Sequence, residues 1–331
     1  MACEEWESTD EDACFAVGFS MNATSHGSIA ERYQHLLRDE FADVETLHER
    51  VGPIHQAILP VSRENRTLAD GSQISAIRWS AEPARFLLLH GGALNARSWD
   101  SVAVSMGAPV IVPDLLGHGH SSWRTDCNYR PSVLAEALIE WMVDACPEPV
   151  HIVGQSLGGL TAIELAARAG HQVKSVTVVD ITPGRSAESP GSRNVRNFVR
   201  GVTRFDEYEQ LVDYAIAHGF GTNRASLELG LIHNTRIAED GSVMFRHHFA
   251  SMDDGGGEPY DILPMWNTIE SLTQPVQLVR GTRGIVDDKQ VAEFRRRRPE
   301  APVSTLTAGH NVQRDAPVEL GRAVSRFAEK I

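Results

Sequence analysis

The spacing of hydrophobic positions changes in a regular way along the chain from about residue 58 onward. Short apolar runs alternate with longer stretches in which apolar side chains recur every three or four positions. The short runs predict strands near Glu64–Leu68, Ile74–Trp79, Phe86–His90, Val110–Pro113, Val150–Gly154, Ser175–Asp180, Val276–Gly281 and Val303–Thr307. The longer stretches predict helices near Trp99–Met106, Pro131–Ala145, Leu157–Ala169, Asp288–Arg297 and Val318–Ile331. This alternation is typical of an α/β protein with a mostly parallel sheet.

Residues 183–268 break the alternation. They contain a helical pattern at Phe205–His218, but no run rich in Val and Ile that could join a parallel sheet. We therefore predict a core formed by residues 28–182 and 269–331, with residues 183–268 inserted as a mainly helical cap. Residues 1–27 are expected to be a disordered acidic extension, because residues 1–20 carry six acidic side chains and no Lys or Arg. That composition also differs from a secretory signal or a transit peptide.

Composition and charge narrow the range of partners. The chain has 331 residues, enough for a large core, and its 42% hydrophobic content is ordinary for a soluble protein. A net charge of -13 argues against nucleic acid or an anionic membrane as the main partner, and no apolar run approaches the length of a membrane span. We expect a small-molecule substrate, a cytoplasmic location, and a monomer or homo-oligomer. The four cysteines are expected to be reduced thiols, although the sequence leaves a bridge between Cys127 and Cys146 open.

A serine stands at the most informative turn of the chain. The pentapeptide Gly154-Gln155-Ser156-Leu157-Gly158 follows a strand pattern and opens directly into a helical one. A sharp strand-to-helix turn requires small flanking residues, and the serine hydroxyl then projects from the top of the sheet. Ser156 is therefore a candidate nucleophile.

A glycine-rich loop follows an earlier strand, at His90-Gly91-Gly92. Glycines there let the backbone approach a substrate and direct N–H groups at a developing negative charge. We predict the N–H groups of Gly92 and Leu157 as oxyanion-hole donors, although a plain turn between strand and helix fits the same glycines. The later turn Asp114–Ser121 is predicted to be structural, with the side chains at its two ends bonded to the turn backbone.

Together these motifs resemble the α/β-hydrolase superfamily over residues 55–331. The resemblance is carried by the order of His90-Gly91-Gly92, Asp114-x-x-Gly117-x-Gly119-x-Ser121, the turn at Ser156, and Ala308-Gly309-His310. It implies the α/β-hydrolase fold, with a mostly parallel eight-stranded sheet flanked by helices and an inserted cap. It also implies a triad that runs nucleophile, acid, base along the chain, with His310 as the general base.

The acid departs from the commonest pattern of this superfamily. Members usually carry the acid after a late strand, at the position that Gly284 occupies here. A subset takes the acid from the end of the preceding strand, where this chain has Asp180. We predict Asp180 as the triad acid. Asp287 and then Asp288 stay open as alternatives, because a slightly longer loop would bring either carboxylate near His310.

A nucleophile, an acid, a base and two oxyanion donors together predict a serine hydrolase that cleaves a carboxylic ester or lactone of a small, largely apolar molecule through an acyl-enzyme. Three alternatives stay open: a C–C bond hydrolase, a cofactor-free oxygenase in which Ser156 only donates a hydrogen bond, and a non-catalytic ligand-binding protein. No cofactor or metal is expected, because the chain has no P-loop, no dinucleotide-binding fingerprint and no cluster with metal-ligand spacing.

The sequence gives weaker signals for the residues that bind substrate. Trp99, Trp123 and Trp266 are candidate walls of an apolar pocket, although core packing is the stronger explanation for each. Asn234 is a candidate substrate contact from the cap, and a structural hydrogen bond explains it equally well.

Overall fold

Alternation of side chains along the strands builds a sheet that is apolar on both faces. In the computed structural model, Ile74 and Ala76 of one strand pack on one face of the sheet, and Ile77 and Trp79 pack on the other. Successive side chains of a strand point to opposite faces, so a continuous apolar run is buried on both sides. The structure describes residues 39–52, 57–184, 201–218, 224–252 and 261–331.

The elements within these ranges have the following bounds. The strands are β1 (Val61–Thr67), β2 (Gln73–Trp79), β3 (Phe86–Leu89), β4 (Val110–Pro113), β5 (Val150–Gln155), β6 (Val173–Val179), β7 (Arg204–Phe205), β8 (Thr235–Ile237), β9 (Val243–Phe245), β10 (Val276–Gly281) and β11 (Val303–Leu306). The α-helices are α1 (Val44–Val51), α2 (Asp100–Met106), α3 (Pro131–Ala145), α4 (Leu157–Ala169), α5 (Tyr208–Ala217), α6 (Arg224–His233), α7 (Met265–Ser271), α8 (Asp288–Arg297), α9 (Val312–Asp315) and α10 (Pro317–Ala328). Short 3₁₀ helices lie at Ala96–Trp99, Gly170–Gln172 and His248–Ser251.

Eight strands form one sheet in the order β1-β2-β4-β3-β5-β6-β10-β11. The pairs β1–β2 and β2–β4 are antiparallel, and all other neighbours are parallel. This confirms the predicted mostly parallel sheet and all eight predicted strands. The parallel strands place their carboxyl ends along one edge, and the strand order changes direction around β3. In open α/β sheets ligands bind outside the carboxyl ends at such a point.

Helices cover both faces of the sheet. Leu138 of α3, Ile163 of α4 and Phe294 of α8 are buried in the cluster on one face. Val102 of α2 and Leu320 of α10 are buried in the cluster on the other face. The sheet is therefore a buried layer, which holds its strand ends in fixed relative positions.

The chain leaves the sheet after β6 and returns to it at β10. The described part of this excursion, residues 201–218 and 224–252, is called the insertion below. It contains α5, α6 and a three-stranded antiparallel sheet in the order β7-β9-β8, with its own apolar cluster around Leu211 and Phe245. Strands of two or three residues are too short to show an alternation, so this small sheet was not expected from the sequence. The cap boundaries at residues 183 and 268 stay a prediction.

Charged side chains tie the N-terminal segment to the core and to the insertion. Arg97, which is nearly buried, donates from its guanidinium to Asp43 over 2.7 Å. The same guanidinium contacts Asp100 and the carbonyl oxygen of Glu40. The other carboxylate oxygen of Asp43 lies 3.7 Å from His233 Nε2 of the insertion. Three parts of the chain therefore meet around Arg97.

Some expectations concern single features. The expected acidic extension, residues 1–27, lies outside the described residues. Across the described ranges, no helix combines the length and the apolarity needed to cross a membrane. Cys127 and Cys146 are both free thiols.

Candidate active site

The turn between β5 and α4 holds Ser156 in an uncommon backbone conformation, with φ 53° and ψ -117°. A Cβ at position 154 would lie 2.2 Å from the carbonyl oxygen of Gly158, and a Cβ at position 158 would lie 2.2 Å from the carbonyl oxygen of Leu89. Backbone cannot yield to such contacts, so only glycine fits on either side of the serine. This confirms the structural reason for the two flanking glycines.

The sheet register brings Ser156 and Asp180 together. Gln155 at the end of β5 pairs with Val179 at the end of the parallel strand β6. The next residue on each strand therefore leaves the same edge of the sheet, and the Ser156 N–H donates to the Val179 carbonyl over 3.2 Å. Their adjacency follows from strand order and register.

The Asp180 carboxylate is fully buried and has three donors. Its Oδ2 lies 2.8 Å from His310 Nδ1 and accepts the Ile285 N–H over 2.8 Å, and its Oδ1 accepts the Gly281 N–H over 3.1 Å. Since a carboxylate only accepts, neutral His310 carries its proton on Nδ1 and presents Nε2 as an acceptor. This is the arrangement that a general base requires.

The two alternative acids are engaged elsewhere. Asp287 caps α8 by accepting a backbone N–H of the first turn over 2.8 Å. Asp288 has a 91% exposed side chain and pairs with Arg280 over 2.7 Å. A Cβ at position 284 would lie 2.1 Å from Asp180 Oδ1, so Gly284 leaves the space that the Asp180 carboxylate fills. The structure brings His310 to Asp180 and to neither alternative.

The acceptor nitrogen of His310 is already hydrogen-bonded in this structure. The Gln155 side-chain amide donates to His310 Nε2 over 3.2 Å and to the His310 carbonyl oxygen over 3.1 Å. Ser156 and His310 share no hydrogen bond here. Bonds between a nucleophile and its base are often long without substrate and shorten in the reacting complex.

The glycine-rich loop lies beside the start of α4. The His90 ring supports this loop, because its Nδ1–H donates to the Gly91 carbonyl over 2.8 Å while Nε2 accepts the Leu115 N–H over 2.9 Å. A Cβ at Gly92 would lie 3.8 Å from Leu157 Cδ2. Neither the Gly92 N–H nor the Leu157 N–H donates to an acceptor in the described ranges. Both groups can therefore serve a developing oxyanion.

Backbone strain is concentrated at this site. Within the described part of the chain, five residues other than glycine have positive φ, and three of them are Ala93, Ser156 and Asp180. Such a conformation costs on the order of 1 kcal/mol or more and persists only where the surroundings enforce it. The site is thus held in shape by its neighbours.

A family model described as the α/β hydrolase fold matches residues 84–317, which is more than half of the chain. The chain belongs to the α/β-hydrolase family. It is 35% identical to Esterase Rv0045c of Mycobacterium tuberculosis over 296 residues, which cover 86% of this chain and 95% of that protein. A solved structure of that esterase has a TM-score of 0.76 and 34% identity, and covers 88% of this chain and 99% of that one.

Two other similarities are more limited. Lipase 3 of a Moraxella species is 33% identical over 129 residues, which cover 38% of this chain and 41% of that protein. The structure of E-2-(acetamidomethylene)succinate hydrolase has a TM-score of 0.70 at 21% identity, and covers 81% of this chain and 100% of that one. At that identity the likeness concerns the hydrolase fold alone.

The residues predicted to bind substrate fall in different places of this hydrolase. Trp99 is fully buried in the core, and Trp266 is nearly buried beneath the Arg297 guanidinium. Trp123 stacks on His248 of the insertion with 4.5 Å between ring centroids. Asn234 bonds to the loop that carries Gly92. Substrate contact by these four residues stays a prediction.

An aromatic ring of the insertion faces the site instead. Phe249 Cε2 would lie 3.4 Å from a Cβ at Gly92, and its ring meets the His118 ring edge-on at 5.0 Å. The preceding residue, His248, donates its N–H to the Gly117 carbonyl over 2.8 Å, which fixes this segment to the core. Phe249 and Gln155 were not predicted as site residues. Gln155 stands inside the recognised pentapeptide, but nothing in the sequence distinguishes Phe249 from a core residue.

Three buried histidines lie around the glycine-rich loop, and burial lowers the pKa of each. The pKa of His90 is below its usual range, that of His118 is well below it, and that of His247 falls to about 3. His118 Nε2 and both His247 ring nitrogens have no hydrogen-bond partner in the described part of the molecule. These rings are therefore neutral near neutral pH. Over the same part, no three His, Cys, Asp or Glu side chains are grouped as metal ligands.

Proposed function

We propose that this protein is a serine esterase that cleaves a carboxylic ester or lactone of a small, largely apolar molecule through an acyl-enzyme. The contact of 2.8 Å between His310 Nδ1 and the buried Asp180 carboxylate carries this proposal. Asp180 is the residue after Val179, whose pairing with Gln155 also positions Ser156, so acid and nucleophile lie side by side. Similarity to an esterase over most of both chains supports the ester-hydrolase class.

The proposed reaction has two halves. Ser156 Oγ attacks the acyl carbon while His310 Nε2 takes its proton, and the proton then passes to the departing alkoxide oxygen. Water attacks the acyl-enzyme in the second half, giving a proton to the same nitrogen, which returns it to Ser156 as the acid leaves. Asp180 keeps the imidazole oriented and stabilises its charged form. The Gly92 and Leu157 N–H groups stabilise the oxyanion in both halves.

The side chains beside these groups favour an apolar substrate. Leu157, Phe249 and Ile285 are each partly buried and pack at the edge of the core. Phe249 lies next to Gly92, and Ile285 donates its N–H to the triad carboxylate. Apolar groups on either side of a substrate carbonyl bound here would meet aliphatic and aromatic surface, and their burial would be favourable.

Labelling with a fluorophosphonate tests the proposed function. We expect rapid covalent labelling of the wild-type protein, and loss of labelling in Ser156→Ala and His310→Ala, since Ser156 Oγ must lose its proton as it attacks phosphorus. Ser271→Ala, at an exposed helix end, is the matched control and should label normally. A folded wild-type protein that never labels would refute the serine-hydrolase mechanism.

Substrate panels separate the reaction classes. Hydrolysis of p-nitrophenyl esters, lactones and vinylogous diketones should be compared on the same preparation. Turnover of esters or lactones supports the proposal, whereas turnover confined to the diketones identifies a C–C bond hydrolase. Oxygen uptake with a heteroaromatic substrate would instead indicate oxygenase chemistry.

A further inference from the structure

Asn234 lies where the insertion touches the loop that carries Gly92. It directly follows α6, and its backbone is held on both sides. Its N–H donates to the Leu231 carbonyl over 3.0 Å, and its carbonyl accepts the Arg246 N–H over 2.9 Å. The side chain therefore reaches toward the core from a fixed position.

Both polar ends of this side chain are directed at the core loop. Asn234 Nδ2 donates to the Ala93 carbonyl over 2.7 Å, and Oδ1 accepts from Asn95 Nδ2 over 3.1 Å. Asn95 Nδ2 also donates to the His233 carbonyl over 2.9 Å. The Asn95 side chain oxygen accepts the Arg97 N–H over 2.9 Å and so caps the 3₁₀ helix that ends the loop. The insertion and the loop are thus joined by a continuous set of hydrogen bonds.

The carbonyl that Asn234 holds belongs to a strained residue. Ala93 has φ 61°, and its side chain packs against the apolar cluster of the insertion. An alanine adopts this conformation only where its neighbours enforce it. Because Ala93 follows Gly92 directly, a change in its φ would turn the peptide that joins the two residues, and the dihedral angles of Gly92, which set the direction of its N–H, would adjust.

We propose that Asn234 is a positioning residue for the oxyanion hole: by holding the Ala93 carbonyl it keeps Ala93 at positive φ and the Gly92 N–H directed at the acyl oxygen. The inference rests on the ester-hydrolase function proposed above. It differs from a substrate contact, because an oxyanion donor acts mainly on the transition state and a substrate contact acts also on the ground state. The insertion then influences the rate of the chemical step.

Two substitutions of Asn234 test this role. Asn234→Ala removes both hydrogen bonds, and Asn234→Asp keeps the size and an acceptor for Asn95 but loses the donor to Ala93. We expect kcat on a p-nitrophenyl ester to fall by about 10-fold or more in both variants, since loss of a full oxyanion donor costs about 10²- to 10³-fold. KM should stay within about twofold, because ground-state contacts are retained.

A trifluoromethyl ketone provides a readout of the hole itself. Its adduct with Ser156 places an oxyanion at the two N–H donors, so its affinity should fall by the same factor as kcat/KM. Asn267→Ala is the matched control, because it changes an exposed asparagine of α7 whose side chain accepts a hydrogen bond from Arg297, and it should leave kcat, KM and the ketone affinity unchanged. Thermal unfolding checks that each variant is folded.

Glycine at position 93 tests the link through backbone strain. Glycine adopts positive φ without the cost that alanine bears. The double substitution Asn234→Ala with Ala93→Gly should therefore recover part of the lost kcat.

Two results would overturn the inference while the esterase activity stands: kcat in Asn234→Asp within about twofold of wild type, or a rise in KM alone. Failure of the wild-type protein to label or to hydrolyse any ester would refute the proposed function instead.

Discussion

At the scale of single residues, the surroundings of Asp180 require a carboxylate at that position. Its buried carboxylate has two backbone donors and one imidazole donor, and all three need an acceptor. An amide in its place would direct one N–H at a donor, or turn and force His310 into the other tautomer. Either outcome leaves the proposed base misdirected.

We therefore expect Asp180→Asn to lower kcat by roughly 10³- to 10⁴-fold, the size of the loss when a triad acid is made an amide. Measurement of kcat and KM on a p-nitrophenyl ester checks this. Asp288→Asn is the matched control, because that exposed carboxylate pairs with Arg280, and it should retain wild-type kcat. Near wild-type activity of Asp180→Asn would show that the acid is assigned to the wrong residue.

Gly284 gives a second test at this scale. A methyl group there would overlap the Asp180 carboxylate, so Gly284→Ala should displace it and lower kcat by about 10²-fold, as an ångström-sized misplacement can. Gly230→Ala is the control, since a Cβ at this exposed position of α6 meets nothing within 4 Å. That change should keep kcat and stabilise the protein by about 0.5–1 kcal/mol. Equal kcat in both variants would contradict the tight fit at Gly284.

At the scale of elements, the sequence predicted the helices that have a strong apolar periodicity and recognisable residues at their ends. The bounds of α3, α4 and α8 agree with prediction, because α3 begins with Pro131 and α8 with a capping box. Helix α6 was missed, since Gly230 and a polar start weaken its pattern. The short strands β7–β9 were missed because they owe their pairing to tertiary contacts.

The same distinction applies to the site. Ser156, His310 and the glycine loop stand in motifs that single segments carry. Asn95 and Phe249 act through contacts between segments far apart in the chain, with no local pattern to mark them. Sequence periodicity reports the burial of one element, and it does not report which distant element covers it.

The cap of α8 is a prediction about an element. Asp287→Ala removes the acceptor for a backbone N–H in the first turn, and should lower the free energy of unfolding by about 1 kcal/mol. Urea denaturation measures this loss. Because Asp287 stabilises a helix and does not face His310, kcat of the folded variant should equal that of the wild type. A large loss of kcat at unchanged stability would return Asp287 to the triad.

At the scale of the whole molecule, the buried histidines make stability depend on pH. Burial keeps His90, His118 and His247 neutral in the folded state, whereas histidines of the unfolded chain take up protons below about pH 6.5. The unfolded chain then binds more protons, so stability is fully present above that pH and falls as the pH falls. For His247 the fall continues down to its folded pKa of about 3.

A histidine whose folded pKa lies far below 6.5, as that of His247 does, contributes up to about 1.4 kcal/mol per pH unit to the slope. Burial also lowers the pKa of His120 and of His151 to about 4, which acts in the same sense, and raises the pKa of Asp100 to about 7, which acts in the opposite sense. Urea midpoints from about pH 7 down to about pH 5 measure the slope. His247→Leu should reduce it by about 1.4 kcal/mol per unit, and exposed His171→Gln should not change it. An unchanged slope in His247→Leu would contradict a neutral buried ring.

The bond from Gln155 to His310 Nε2 has a consequence for the timing of the proposed reaction. While the Gln155 amide is bonded to that nitrogen, Ser156 keeps its proton and is a poor nucleophile. Turnover then begins with a change of partner, in which one hydrogen bond worth about 0.5–1.5 kcal/mol is replaced by another of similar strength. The exchange is nearly neutral in free energy, so a well-fitting substrate can trigger it. In the proposed reaction, Ser156 therefore becomes a nucleophile only after His310 Nε2 has exchanged the bond from Gln155 for one from Ser156.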